Sequence, residues 1–225
     1  MKNKTAPSVE SAARPSLFVV GDSISVHYGP FLERALAGSC VYDRKGGAAE
    51  ALANLDVPRG SNGGDSSMVL EYLNERLAEP AFQPDLLLFN AGLHDIKRQT
   101  PEADPKIDPD AYGKNLREIV EALRSRRIAA AWMRTTPCRD AIHNEKNRPS
   151  FFRFERDLAL YNEMADAVMQ AEGIPMIDLH GFTLSLEEKP EVLFCDHVHF
   201  HPGVRALQGA FLAGWTISYF DTARF

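Results

Sequence analysis

The sequence is poor in cysteine. Cys40, Cys138 and Cys195 are its only three, far apart in 225 residues, with no CxxC pair and no zinc-finger spacing. That argues against a disulfide framework and predicts reduced, buried thiols. Basic charge is also scarce, with 25 Lys+Arg against 31 Asp+Glu and a net charge of −6. A broad nucleic-acid surface needs a basic face, so that partner is not expected. No apolar run approaches the ~20 residues of a membrane-spanning helix. The opening "MKNKTAPSVESAARPS" carries no apolar core of a secretory signal. A cytoplasmic protein without membrane partners is therefore expected. Internal repeats and low-complexity segments are lacking too.

What is present is an alternation of short apolar runs with helical periodicity. Residues 1–15 read as a flexible leader and 16–225 as a single domain. The runs "SLFVV" (16–20), "CVYD" (40–43), "DLLLFNAG" (85–92), "IAAAWM" (128–133) and "IPMIDL" (174–179) read as strands. Between and after them, apolar residues recur at helical spacing. Tyr28, Phe31, Leu32, Ala35 and Leu36 mark one helix. Val69, Tyr72, Leu73 and Leu77 mark another, with Asp65 or Ser66 as its N-cap. Tyr112 to Leu123 and Leu158 to Val168 mark two more. A last helix shows Leu207, Ala210, Phe211, Gly214 and Trp215. The pattern predicts an α/β domain with a mostly parallel sheet covered on both faces.

Ligands of such sheets bind outside the carboxyl ends of the strands, so residues just after strands matter most. After the first strand comes "GDSIS" (21–25). Ser23 there would sit at a helix N-terminus, where free N–H groups favour an oxyanion. Asp22 and Ser23 as plain helix caps remain the alternative. After the third strand comes "NAGLHDIKR" (90–98), placing His94 and Asp95 at the sheet edge or in an ordinary polar turn. "FCDHVHFHPG" (194–203) precedes the last helix. Asp196 and His199 are three apart, a spacing that lets a carboxylate reach Nδ1 of the imidazole and frees Nε2 for a serine. A zinc row is the rival reading: His197, His199 and His201 would share one face of an extended segment, with His94 or Asp95 as a further ligand.

"GDSIS", a Gly-rich loop "GSNGGDSS" (60–67), "GLHD" and "DHVH" occur in this order. Together they resemble the SGNH hydrolases, the GDSL esterase/lipase family, over almost the whole chain from about Leu17. The resemblance implies a three-layer α/β/α sandwich with a five-stranded parallel sheet and no cofactor or metal. It implies Ser23 as nucleophile, His199 as base and Asp196 as its orienting acid. The Ser23 N–H and the N–H of Gly64 would form the oxyanion hole, with Gly63, Gly46 and Gly47 as alternatives. The family's third block usually carries Asn where this chain has His94, and an imidazole N–H can also donate. Asn90 is expected to be structural. His197 is expected to pack nearby, and His201 to shape the entry to the last helix.

The expected reaction is hydrolysis of a carboxylic ester, a short-acyl and foremost an acetyl ester on a carbohydrate or another small polar molecule. Arg44, Lys45, Lys97, Arg98 and Arg134 gather near the presumed site, and Arg134, directly after the fourth strand, is the expected substrate-binding residue. A solvated rim is the alternative for all five. An acyltransferase on the same triad, a metal-dependent hydrolase and an inactive sugar-binding module are the competing functions.

Overall fold

The computed structural model describes residues 14–146 and 150–223. Most of the expected leader therefore lies outside the described residues. Five parallel strands form one sheet: β1 Ser16–Val20, β2 Val41–Arg44, β3 Leu86–Phe89, β4 Ala129–Met133 and β5 Met176–Ile177. Their spatial order is β2-β1-β3-β4-β5. The central pairings align Leu17 with Leu86 and Leu86 with Ala129. β3 is buried at every residue, as a strand covered on both faces should be. The three-layer α/β/α sandwich is thus the fold observed.

The helices are α1 Ser23–Leu36, α2 Ala48–Ala53, α3 Ser66–Leu77, α4 Pro109–Ser125, α5 Asp140–Lys146, α6 Glu155–Glu172, α7 Leu179–Leu184 and α8 Pro202–Thr222. α1 packs with α8, while α3, α4 and α6 pack in a row. Asp65, rather than Ser66, caps α3, accepting from the Met68 N–H at 3.0 Å. Asp108 caps α4 in the same way, accepting from the Ala111 N–H.

Several boundaries differ from the sequence reading. β3 ends at Phe89; the next N–H, that of Asn90, still donates to the Val20 carbonyl at 3.0 Å, and its side chain donates to the Met133 carbonyl at 2.8 Å and to Thr135 Oγ1 at 3.0 Å. β5 is only two residues long, since Asp178 turns the chain into α7 by accepting from the Gly181 N–H. The short helices α2 and α5 occupy segments read as loops, and residues 147–149 of the second segment lie outside the described residues. The buried face of α8 is also rotated from the expected one. Gly209, Leu212, Ala213, Thr216 and Phe220 are buried, while Leu207, Ala210 and Gly214 face out. Apolar residues surround this helix, so periodicity alone did not select a side, and the small residues did.

Gly209 shows why. A Cβ there would lie 2.8 Å from the Leu32 backbone nitrogen and 2.8 Å from Phe31 Cβ. α8 can approach α1 this closely only without a side chain at that point. The nucleophile candidate begins α1 and the base candidate lies just before α8, so this contact sets the distance between them.

The loops at the carboxyl edge are cross-tied. Arg44, at the end of β2, donates to the Ser25 carbonyl at 2.6 Å, to Ser25 Oγ at 3.0 Å and to the Ser61 carbonyl at 3.1 Å. Gly29 leaves the space for that guanidinium, since a Cβ there would meet Nη1 at 2.6 Å. Asp95, fully buried after β3, accepts from the Ser66 N–H at 2.9 Å. Burial raises its carboxyl to about 7.

Gly209→Ala is expected to destabilise the protein by about 1–3 kcal/mol through overpacking, measured by urea unfolding. Unchanged stability would mean that α1 and α8 can separate freely. Asp95 contributes a pH dependence. Its native value lies above the unfolded value of about 4, so the native state holds the proton more tightly. The stability it contributes is complete below about 4 and is lost as pH rises toward 7. Asp95→Asn keeps the oxygen that Ser66 needs and should flatten stability over that window; a curve parallel to the wild type would contradict this.

Candidate active site

Ser23 is the first residue of α1, immediately after Asp22. The Asp22 carboxylate accepts from the Ile24 N–H at 2.9 Å, and its carbonyl accepts from the Ser25 N–H at 3.0 Å. Asp22 therefore caps the helix, as one reading allowed, while Ser23 is held at the first position with its N–H unpaired among the described residues. Burial raises the Asp22 carboxyl above its ordinary value.

His199 and Asp196 lie on a tight loop. Its base is closed by the stacked rings of Phe194 and Phe200, 4.9 Å apart, and by the Cys195 N–H donating to the His199 carbonyl at 2.8 Å. The His201 N–H, at the entry to α8, donates to the Leu193 carbonyl at 3.0 Å. Inside the loop, Asp196 Oδ1 accepts from the Val198 and His199 N–H groups at 2.9 and 2.7 Å. Its other oxygen lies 2.8 Å from His199 Nδ1. His199 Nε2 lies 2.8 Å from Ser23 Oγ. The structure therefore brings Ser23, His199 and Asp196 into one hydrogen-bonded line.

Both side chains are nearly closed off, Ser23 being 4% and His199 2% exposed. Partial burial would raise the Asp196 carboxyl, but the His199 ring and the two backbone donors outweigh it and hold the group below the usual carboxylate range. It stays ionised through the neutral range. His94 is buried after β3, and burial, reinforced by Lys97 and Arg153, holds its imidazole well below its ordinary value. It is thus a neutral ring with one N–H to donate.

The candidate glycines differ. The Gly63 N–H donates to the Gly21 carbonyl at 2.8 Å, tying this loop to the end of β1. The Gly64 N–H meets only the Asn62 side-chain oxygen, at 3.1 Å. Gly64 has a φ of +79°, and a Cβ there would meet Met68 Sδ at 2.6 Å and Pro58 Cβ at 2.9 Å. Gly47 starts α2 and abuts Gly60.

The cations expected to rim the site are instead engaged with the protein. Lys45 donates to the Gly60 carbonyl, Lys97 to the Asp56 carbonyl, and Arg98 makes a two-pronged pair with Asp157 at 2.7 and 2.8 Å. Arg134 stands at the end of β4, where its guanidinium meets Asp166 at 3.1 Å and Asp178 at 3.6 Å. Residues that the sequence reading missed lie closer in. The His27 ring, four residues after Ser23 on the same face of α1, packs edge-on at 5.1 Å from His199. His143 from α5 and Asp56 each bind one nitrogen of His197, at 2.9 and 3.2 Å. Helical spacing would have found His27; nothing in the sequence links Asp56, His143 and His197, which meet only in three dimensions.

Asp196, His197 and His199 offer ligand atoms within 4.8 Å of one another. All four ring nitrogens of the two histidines already have protein partners, and His201 stands apart, exposed at the start of α8. Two histidines of the zinc row are therefore hydrogen-bonded within the protein, and the third, His201, stands apart from them.

The structure resembles a lipase/acylhydrolase from Enterococcus faecalis, with a TM-score of 0.67, 18% identity, and 91% of this chain and 96% of that one covered. It also resembles a GDSL-like lipase from Bacteroides thetaiotaomicron, with a TM-score of 0.65, 17% identity, and 91% and 88% covered. A third likeness is to a psychrotrophic esterase from Pseudoalteromonas sp., solved inhibited by monoethylphosphonate: TM-score 0.60, 14% identity, 92% and 98% covered. These likenesses bear on the fold. No curated protein matches the sequence. Among the described residues no helix is long and apolar enough to cross a membrane. The family model that matches spans residues 19–206 and so reaches from β1, through every strand and the Ser23 and His199 segments, into the start of α8. The chain is accordingly a hydrolase of the GDSL-like lipase/acylhydrolase family.

Proposed function

We propose that the protein cleaves short-acyl carboxylic esters through Ser23, His199 and Asp196. The continuous line Ser23 Oγ, His199 Nε2, His199 Nδ1, Asp196 Oδ2, with 2.8 Å at both hydrogen bonds, carries this reading. Ser23 Oγ attacks the ester carbonyl carbon while Nε2 takes its proton. Asp196 remains a carboxylate and balances the imidazolium. The tetrahedral oxyanion is met by the unpaired Ser23 N–H at the start of α1 and by the neutral His94 ring. Gly64 is the third donor, since its N–H is held only by an exchangeable side chain. The C–O bond to the alcohol then breaks, and His199 gives its proton to the leaving oxygen. Water repeats the sequence on the acyl-enzyme and restores Ser23.

The substrate follows from the surroundings of Ser23. His27, His94, His197 and Asp56 make them polar, and the near-closure of Ser23 suits a small acyl group such as acetyl. The alcohol part is a carbohydrate or another small polar molecule. Arg134 would meet it only by exchanging Asp166 or Asp178. The three unpaired cysteines suit a reducing, cytoplasmic compartment.

Ser23→Ala should lower kcat on an activated acetyl ester by about a thousandfold or more, with unchanged thermal unfolding. Retained activity would end the assignment, as would failure of an alkylphosphonate to label Ser23. Asp196→Asn keeps an oxygen for the two backbone donors but can turn an amide N–H toward Nδ1, selecting the wrong tautomer. Its kcat should fall by about a hundredfold or more, and kinetics at equal folded fraction checks this. Preference for long acyl chains over acetyl in a chain-length series would overturn the substrate class.

A further inference from the structure

One charge beside the site is unused by this reaction. Arg153 is 2% exposed and among the largest fully buried side chains of the protein. A buried guanidinium is costly, and proteins usually offset it with a carboxylate in direct contact. Among the described residues Arg153 has no such ion pair, and its Nη1 is buried without a hydrogen-bond partner. Its side chain makes a single hydrogen bond, from Nε to the Leu93 carbonyl at 2.6 Å. The guanidinium lies 4.8 Å from the centre of the Phe151 ring, which Lys97 also approaches, at 4.1 Å. Asn144 of α5 fixes the Arg153 backbone from both sides, donating to its carbonyl at 2.9 Å and accepting from its N–H at 3.1 Å.

The Leu93 carbonyl belongs to the peptide that joins Leu93 to His94. A trans peptide is planar, so holding its oxygen fixes the plane from which the His94 side chain starts. No hydrogen bond to another described residue orients the His94 ring, so its aim depends on packing and on that backbone. The field of Arg153 reaches three carboxylates at longer range, Asp56, Asp22 and Asp196, the last two flanking the Ser23–His199 pair.

We propose that Arg153 is a positioning residue of the acyl-transfer site: it grips the Leu93 carbonyl to aim His94, and its positive charge, with no carboxylate in direct contact, favours the oxyanion formed when Ser23 attacks the ester. The proposal rests on the Ser23 reading and extends it to a residue outside the four sequence blocks.

The test compares wild type, Arg153→Gln and Arg153→Lys on two activated esters of similar size, one neutral and one bearing a carboxylate. Thermal unfolding and the rate of Ser23 labelling by an alkylphosphonate are followed in parallel. Gln can still donate to Leu93 but carries no charge; Lys keeps the charge but loses the fork. Arg153→Gln should lower kcat about tenfold or more on both esters, with KM nearly unchanged. Labelling should slow in step, and Arg153→Lys should recover part of the loss. Wild-type kcat in folded Arg153→Gln would overturn the proposal. So would a loss confined to KM of the carboxylate-bearing ester, which would make Arg153 a substrate anchor. Should Arg153→Gln not fold, Arg153→Lys decides alone: kcat reduced several-fold at unchanged KM supports the proposal, and wild-type kcat overturns it. Failure of the phosphonate to label wild-type Ser23 would remove the underlying reading, and it is visible before any Arg153 variant is made.

Discussion

The hydrogen bond between Ser23 and His199 joins groups 176 positions apart, and no local propensity can set its length. It depends on how closely α8 lies against α1. Gly209 lets the two backbones approach, and the Phe194–Phe200 stack closes the loop that delivers His199. A Cβ at one point or a lost ring at the other would move the imbalance into the reacting pair. An interior packed at crystal-like density has little slack to absorb such a shift. The architecture of the sheet is common to many α/β proteins; the helix–helix contact is what turns this one toward chemistry.

Carboxylates around this contact are driven in opposite directions by their surroundings. Asp196 accepts two backbone N–H groups and an imidazole, so its charge is favoured despite partial burial. Asp22 and Asp95 are buried with fewer donors, and burial raises both. The same residue type thus keeps its charge beside His199, while burial disfavours the charge on Asp22 and Asp95. Buried histidines follow the matching rule. His94 and His143 are held neutral by burial, and His27 is lowered to about 4.

The strands were legible because buried parallel strands are short, continuous apolar runs. "DLLLFNAG" and "IAAAWM" needed only trimming at their ends, to Leu86–Phe89 and Ala129–Met133. The faces of α3, α4 and α6 were legible for the same reason, since polar residues clearly mark their outer sides. The face of α8 was not, because apolar residues surround it and small ones decide its contact. At the site, the three-residue spacing pointed to an Asp196–His199 pair, and the resemblance of the four ordered blocks placed Ser23 with it; the structure brings the three into one hydrogen-bonded line. Arg153 and the chain Asp56, His197, His143 were not legible, because each member comes from a different segment with no shared spacing. The cations near the sheet edge were visible in composition. Their engagement with carbonyls and carboxylates was not, because geometry alone tells a rim from a brace.

The distance in sequence between Ser23 and His199 also orders events in time. A ribosome makes Ser23 early and His199 late, and α8, against which His199 is set, later still. Native contacts of such long separation form only after large loops have closed. Until α8 docks on α1, nothing holds His199 beside Ser23. α8 must therefore meet α1 before the Ser23–His199 hydrogen bond can form.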